Sequence, residues 1–311
     1  MATTRAKPGL FVDTPSVSRR PRWLRSDMAV AVLVLSPSIF AVAVFIYSFI
    51  VWSFFISGTK WNSAVVDLSW VGLDNWDRLI NDDRFQTDIR NLFIYAAGFM
   101  SQCIVLGFLL AVLIDQKIKG EAAFRTIFIF PFAVSGIVTG VVWRWLMRPE
   151  AGINLILQSV GLDFLKSPWY TDPNWGVAAV SVAGAWQFSG YVMALYLAGL
   201  RGISTEIREA ALIDGCNTFT LYRSVIIPLL APVTFTAVVL TGMGSIRVFD
   251  LPAVIGTGAA FGTDAMAFYM FTLTFTSLKY SLGATIACVM IIFSAFLVVP
   301  YLRSMRREAE Q

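Results

Sequence analysis

Residues 92–114 read LFIYAAGFMSQCIVLGFLLAVLI, twenty-three residues without a charge. A helix rising about 1.5 Å per residue needs about twenty residues to cross a hydrocarbon core about 30 Å thick. The run is continuously apolar rather than alternating, which disfavours a membrane β-strand. Five further stretches are apolar and long enough to span: 28–56, 124–147, 176–199, 229–254 and 282–302. The first is too long for the core of a signal peptide and is followed by no small-residue cleavage pattern, so it counts as a span. The fold class expected is all-α, a polytopic membrane protein with six transmembrane helices.

Composition agrees. The 311 residues are 57% apolar and only 14% charged, where a soluble domain carries about a quarter charged residues. The net charge of +4 is modest, and no nucleic-acid partner is read from it. The chain contains no histidine, which excludes imidazole zinc sites and Ser-His-Asp triads. Cys103, Cys216 and Cys288 show neither metal-ligand spacing nor a disulfide framework. No Gly-Lys dipeptide is present, so there is no Walker A phosphate loop. No metal or cofactor is expected in the chain itself.

The basic residues orient the spans. With the N-terminus inside, fifteen of them fall on the cytoplasmic side: in the tail before the first span, around Lys117, Lys119 and Arg125, at Arg201, Arg208 and Arg223, and in the last residues. Seven fall outside, so both termini are placed in the cytoplasm. The chain divides into a basic arm (1–27), a membrane domain (28–303) and a short tail (304–311). The external segments 57–91 and 148–175 contain Trp61, Trp70, Trp76, Trp169 and Trp175, which read as interfacial anchors.

The loop between spans four and five (204–228) stands apart. Ser204 is a plausible N-cap, with Glu206 in the first turn of a short helix over 205–213. Gly215 suits the left-handed position that ends it, and Asn217 suits the cap of a second helix ending before Pro228. The result is a helix–turn–helix elbow with exposed Ala210, Ala211, Ile213 and Phe219, able either to lie on lipid or to dock in a partner's groove.

In the spans, Gln187, Phe188 and Tyr191 cluster on span four, and Thr241, Gly244, Ser245 and Val248 on one face of span five. Such groups either face a polar cavity near mid-depth or, for the hydroxyls, bond back to their own helix. Arg247 and Asp250, three apart, either pair with each other or face an anionic solute. Arg144 is expected to snorkel to the interface. Gly136 and Gly140 form a Gly-x-x-x-Gly face for close helix packing. Pro252 is expected to end or bend span five.

Glu209-Ala210-Ala211, then Gly215 four residues on, then Val225-Ile226-Ile227-Pro228, resembles the EAA loop of ABC importer permeases. Val225 and Ile227 are mild departures from the usual ending, and Ser204 replaces a proline. Asp214 is similar to the carbohydrate branch, the maltose and glycerol-3-phosphate permeases. Further matches lie at Val71 to Trp76, Phe124 to Pro131, Trp143, Gly152 to Asn154, Trp186, Ala198 to Leu200, Phe249-Asp250 and Thr257-Gly258. The resemblance implies a MetI-like fold and import of a sugar or sugar-like solute by alternating access, with an anionic solute such as glycerol 3-phosphate as the alternative. It implies four kinds of surroundings: a second homologous permease, two ATPase subunits that bind ATP and magnesium, an extracytoplasmic solute-binding protein, and the lipid bilayer. It also implies that Glu209, Ala210, Ala211, Asp214, Gly215 and Pro228 couple to the ATPase. The same resemblance places Gln187, Phe188, Tyr191, Thr241, Gly244, Ser245 and Val248 around the solute, with Arg247 and Asp250 close by. The residues leave two rivals. An ion-coupled transporter has few acids in the spans, chiefly Asp250, and no histidine. A membrane-embedded enzyme lacks any clustered catalytic set.

Overall fold

The computed structural model describes residues 23–116, 118–256 and 262–309. Most of the basic arm, Lys117 and the Thr257-Gly258 match lie outside the described residues. The chain divides into two units, Met1–Val51 and Trp52–Gln311.

The first unit holds most of helix α1 (Trp23–Ser57), which carries Pro37 within it. From Val30 onward its side chains are nearly all exposed, among them Leu33, Phe40 and Phe49. An apolar helix of this length with its sides uncovered suits a hydrocarbon surround.

The second unit is built on α3 (Asp83–Asp115) and α7 (Gly176–Gly202), which pack along each other. The helices approach closely because small residues line the seam. A Cβ added to Gly107 would sit 2.7 Å from Val192. Around this pair lie α4 (Glu121–Ala133), α5 (Gly136–Leu146), α11 (Ala231–Ile246), α12 (Asp250–Ile255), α13 (Met266–Phe271) and α14 (Tyr280–Ala309). Three short helices, α2 (Asp74–Ile80), α6 (Ile153–Ser159) and α8 (Thr205–Ile213), sit in the connections. Helix α9 (Thr218–Leu221) runs through a π-turn at Tyr222–Ile226 into α10 (Ile227–Leu229).

Among the described residues four helices are long and apolar enough to cross a membrane, and six segments qualify if two bent pairs each count as one span. The first bent pair corrects the continuous stretch 124–147. Helices α4 and α5 meet at 97°. Pro131 stands in the last turn of α4, and Val134 and Ser135 are extended, with ψ of 139° at both. The second pair, the α9–α10 segment and α11, bends by 66°. Pro228 does not end the second elbow helix as expected. It follows the π-turn, whose wider pitch accommodates a residue lacking N–H, and the bend comes at Leu230. The stretch 229–254 is also broken, at Arg247–Phe249, upstream of Pro252. Pro252 sits in the first turn of α12, where its missing donor costs nothing.

The loop segments are tied by buried amides. Asn75 donates to the carbonyls of Ser57 and Thr59, at 2.9 and 2.7 Å. Asn154 accepts from the Trp169 indole at 2.8 Å, and Trp61 stacks on Tyr280 with ring centroids 4.5 Å apart. Trp61 and Trp169 therefore pack inside the loop structure, whereas Trp70 and Trp175 stay exposed. Asp172 accepts from the Trp175 and Asn174 backbone N–H groups just before α7, which holds its carboxyl below the usual range.

Candidate functional site: a cavity at two helix breaks and an exposed elbow

The breaks in the third and fifth stretches border the same space, a cavity of about 510 Å³. Phe132 and Gly136 line it at the first break, and Arg247, Val248, Phe249 and Asp250 at the second. Helix α7 supplies Gly184, Gln187 and Phe188, and α3 supplies Tyr95 and Phe99. Breaking a helix in an apolar setting frees backbone carbonyls that need partners. Gln187 answers one of them, donating from Nε2 to the Val134 carbonyl at 2.7 Å.

One wall is aromatic. Phe132 stacks on Tyr191 at 4.9 Å and meets Phe188 edge-on at 5.3 Å, and Phe188 lies 5.7 Å from Phe99. The lining is also charged. Among the described residues Arg247 donates to the Met243 carbonyl at the end of its own helix, at 3.4 Å. Among the described residues Arg247 and Asp250 form no ion pair, so the expected structural pair is not made. Asp250 lies instead over the first turn of α5, where a Cβ on Gly136 would come within 2.5 Å of its carboxylate.

The Gly136–Gly140 face does allow close packing, in register. Gly136 faces Asp250, and Gly140 faces Val254 four residues on, where an added Cβ would be 2.9 Å away. One more turn along α5, Arg144 donates to the Val254 carbonyl at 3.3 Å. The half-exposed Arg144 thus caps the C-terminal end of α12, because the orphan carbonyls of that short helix are within its reach.

Of the nine residues proposed around the solute, Gln187, Phe188, Gly244, Arg247, Val248 and Asp250 line the cavity. Thr241 and Ser245 do not. Both are buried, and their hydroxyls bond back to Ala237 at 2.7 Å and to Thr241 at 3.0 Å. Tyr191 supports the wall through Phe132 without lining it. Tyr95, Phe99 and Phe132 were missed, because aromatic residues inside an apolar run carry no mark of facing a cavity.

The elbow follows the C-terminal end of α7. Helix α8 covers residues 205–213 as expected and ends in a Schellman turn: Cys216 N–H bonds the Ala211 carbonyl at 3.0 Å, Gly215 N–H that of Leu212 at 3.1 Å. Gly215 has φ of +86°, a conformation natural to glycine. Asn217 caps α9 by accepting from the Thr220 N–H at 2.8 Å. Ser204 occupies the N-cap position, but its hydroxyl makes no capping bond. One arginine roots the elbow, and a second, in the last turn of α7, ties that helix to α4. Arg208 donates to Asp115 at 2.8 Å and to the Leu200 carbonyl at 2.7 Å, and Arg201 pairs with Glu121 at 2.5 Å. Ala211 is buried in the core, which corrects the expectation of exposure. Glu209, Ala210, Asp214, Gly215 and Pro228 are exposed, with Ile213 and Phe219 uncovered at 86% and 71%.

Among the described residues no three His, Cys, Asp or Glu side chains come together to hold a metal. The family described as "Binding-protein-dependent transport system inner membrane component" matches residues 103–307. The chain belongs to this family. The permease is 38% identical over 278 residues to a Pyrococcus horikoshii chain described as a probable ABC transporter permease protein, covering 89% of this chain and 95% of that one. It is 32% identical over 255 residues to the xylose/arabinose import permease protein XacH of Haloferax volcanii, covering 81% and 80%. A chain of the solved bacterial ABC transporter that imports the acidic polysaccharide alginate aligns with a TM-score of 0.73, at 19% identity, covering 91% of the permease and 98% of that chain. That likeness establishes the MetI-like fold. The permease is thus a transport subunit rather than an enzyme, and the ATPase of such a system is a separate subunit. Dependence on a binding protein sets the ion-coupled rival aside.

Proposed function

We propose that the permease carries a sugar or sugar-like solute through the 510 Å³ cavity, driven by a separate ATPase engaged through the elbow. The observation that carries the reading is the cavity itself: aromatic rings together with Gln187, Arg247 and Asp250, bordered by two helix breaks. A pyranose offers an apolar face to the Phe132–Phe188 wall and hydroxyl edges to Gln187 and Asp250. Names such as xylose/arabinose import and trehalose/maltose transport among the relatives support this solute class.

The assembly proposed is this permease with a second homologous one, two ATPase copies binding ATP and magnesium, and an external solute-binding protein. Both termini and the elbow face the cytoplasm of the plasma membrane, as the basic residues indicate. Closure of the ATPase pair pushes the elbow. Arg208 passes that push to the C-terminal ends of α3 and α7, whose middle turns carry part of the cavity wall. The breaks at Val134–Ser135 and Arg247–Phe249 are the points at which the wall opens and closes.

A second reading rests on Arg247, a cavity cation with no carboxylate partner among the described residues: the solute is anionic. The test is a panel of neutral sugars, sugar acids and sugar phosphates, scored by stimulation of ATP hydrolysis in the reconstituted complex with parent and Arg247→Gln permease. For a neutral sugar the substitution changes half-maximal uptake by about threefold or less. For an anion, losing a charge-assisted contact raises it at least about tenfold. Failure of every sugar and sugar derivative to stimulate hydrolysis contradicts the proposed solute class.

A further inference from the structure

A second, much smaller cavity lies behind the wall of the first, sharing Tyr95 and Val248 with it. Its volume is about 10 Å³, close to the smallest space that admits one water molecule. Asp88 and Asn91 of α3, Ser245 of α11 and Asp264, which precedes α13, form its polar lining.

The chemistry of that lining is one-sided. Asp88 is wholly buried, and neither of its carboxylate oxygens has a hydrogen-bond partner among the described residues. The Oδ1 of Asn91, a residue 1% exposed, is likewise without a partner among them. Its amide nitrogen donates to the carbonyls of Gly262 and Asp264, at 2.7 and 3.0 Å, which fixes the amide's orientation and leaves the oxygen turned elsewhere. Ser245 donates its proton to the Thr241 carbonyl and has only lone pairs left to offer. Asp264 accepts from the Ala265 N–H at 2.9 Å and pairs with Arg84 at 2.6 Å. Arg84 also lies over the Tyr269 ring at 4.2 Å. The Arg84–Asp264 pair is neutral as a pair, and no cationic side chain lines the cavity to balance an ionised Asp88.

We propose that this cavity binds one small, hard, monovalent cation, with Asp88 and Asn91 as its side-chain ligands. A buried carboxylate and an amide oxygen without donors require a positive or donor-bearing occupant. The volume admits a bare ion of sodium size and no organic solute. The lining lacks thiolate and imidazole, which disfavours transition metals, and it has one uncompensated charge and too few acids for a caged divalent ion. The bound ion would tie α3 to the residues around the break after Ile246, behind the cavity that carries the solute. Oxygen-rich ion sites beside unwound helix segments are a recurring solution in membrane proteins. The competing occupant is a water molecule beside a protonated Asp88.

The test uses the full-length permease in lipid nanodiscs. Its thermal unfolding is followed in sodium, potassium and N-methylglucamine chloride at fixed ionic strength, and sodium binding is read with radioactive sodium by scintillation proximity. The expected result is saturable sodium binding and a rise in Tm of about 5 °C at saturation relative to N-methylglucamine. Both are lost in Asp88→Asn, which keeps the side chain's shape. If the parent shows the same Tm in all three salts and no saturable binding, or if Asp88→Asn responds to sodium as the parent does, the occupant is water and the proposal is overturned. Should the variant fail to fold, the binding measurement on the parent decides alone.

Discussion

Glu209→Ala leaves the permease folded and inserted, yet lowers solute-stimulated ATP hydrolysis and uptake by at least about tenfold in the assembled complex. Glu209 is exposed on α8 and makes no ion pair within the chain among the described residues. Its loss therefore costs the isolated fold about 0.5 kcal/mol or less. At a docked interface the same carboxylate is desolvated beside a basic group, and truncating one partner of such a pair costs about 2–5 kcal/mol. In the proposed coupling the neighbouring surface supplies the apolar part of the contact through Ile213 and Phe219, both exposed among the described residues. The variant should unfold at the parent temperature, and the external receptor should bind solute with parent affinity while turnover falls. Parent rates of hydrolysis and uptake would remove Glu209 from the coupling surface.

Gly190→Ala is expected to act through packing. Helix α7 passes so close to α4 at this point that a methyl group on Gly190 would lie inside the Phe128 carbonyl. The obstacle is backbone, not a flexible side-chain end, so α4 would have to move. Overpacking of this kind costs about 1–3 kcal/mol or more. Moving α4 also pulls the Val134 carbonyl from Gln187 and Phe132 from Tyr191, the contacts that shape the cavity. The expected outcome is a Tm lower by about 5 °C or more together with loss of transport. Gly202→Ala is the control, since no atom lies within 4 Å of a Cβ added there. Equal melting temperatures for the two variants would contradict the packing described.

Much of the elbow was legible before any coordinates. Residues 205–213, the left-handed Gly215 and the Asn217 cap all depend on local chemistry that a few neighbouring residues decide. Gly136 and Gly140 were legible as a packing face, because spacing alone places them on one side of a helix. The breaks were not. A bent span and a straight one have the same apolar content, and the extended backbone at Val134 and Ser135 is set by tertiary packing and the Gln187 bond rather than by composition. Thr241 and Ser245 illustrate the opposite limit: spacing put them on one face correctly, but a hydroxyl in an apolar helix can satisfy itself on its own backbone. Asp88 escaped notice because the apolar run was read from residue 92. Helix α3 begins at Asp83, so the acid lies a turn inside the helix and is buried by loop residues far away in sequence.

The most direct measurement is a crosslink from the elbow. With Cys216 replaced by serine and the buried Cys103 and Cys288 kept, Ile213→Cys and Phe219→Cys variants are treated with a short thiol-to-amine reagent in membranes carrying the whole transporter. Both positions should capture the ATPase subunit, and Phe164→Cys, exposed in the segment between α6 and α7, should not. Capture of no ATPase from either elbow position, or labelling of Ile213→Cys by a membrane-impermeant thiol reagent added outside intact cells, would contradict an elbow that receives the stroke of a cytoplasmic motor.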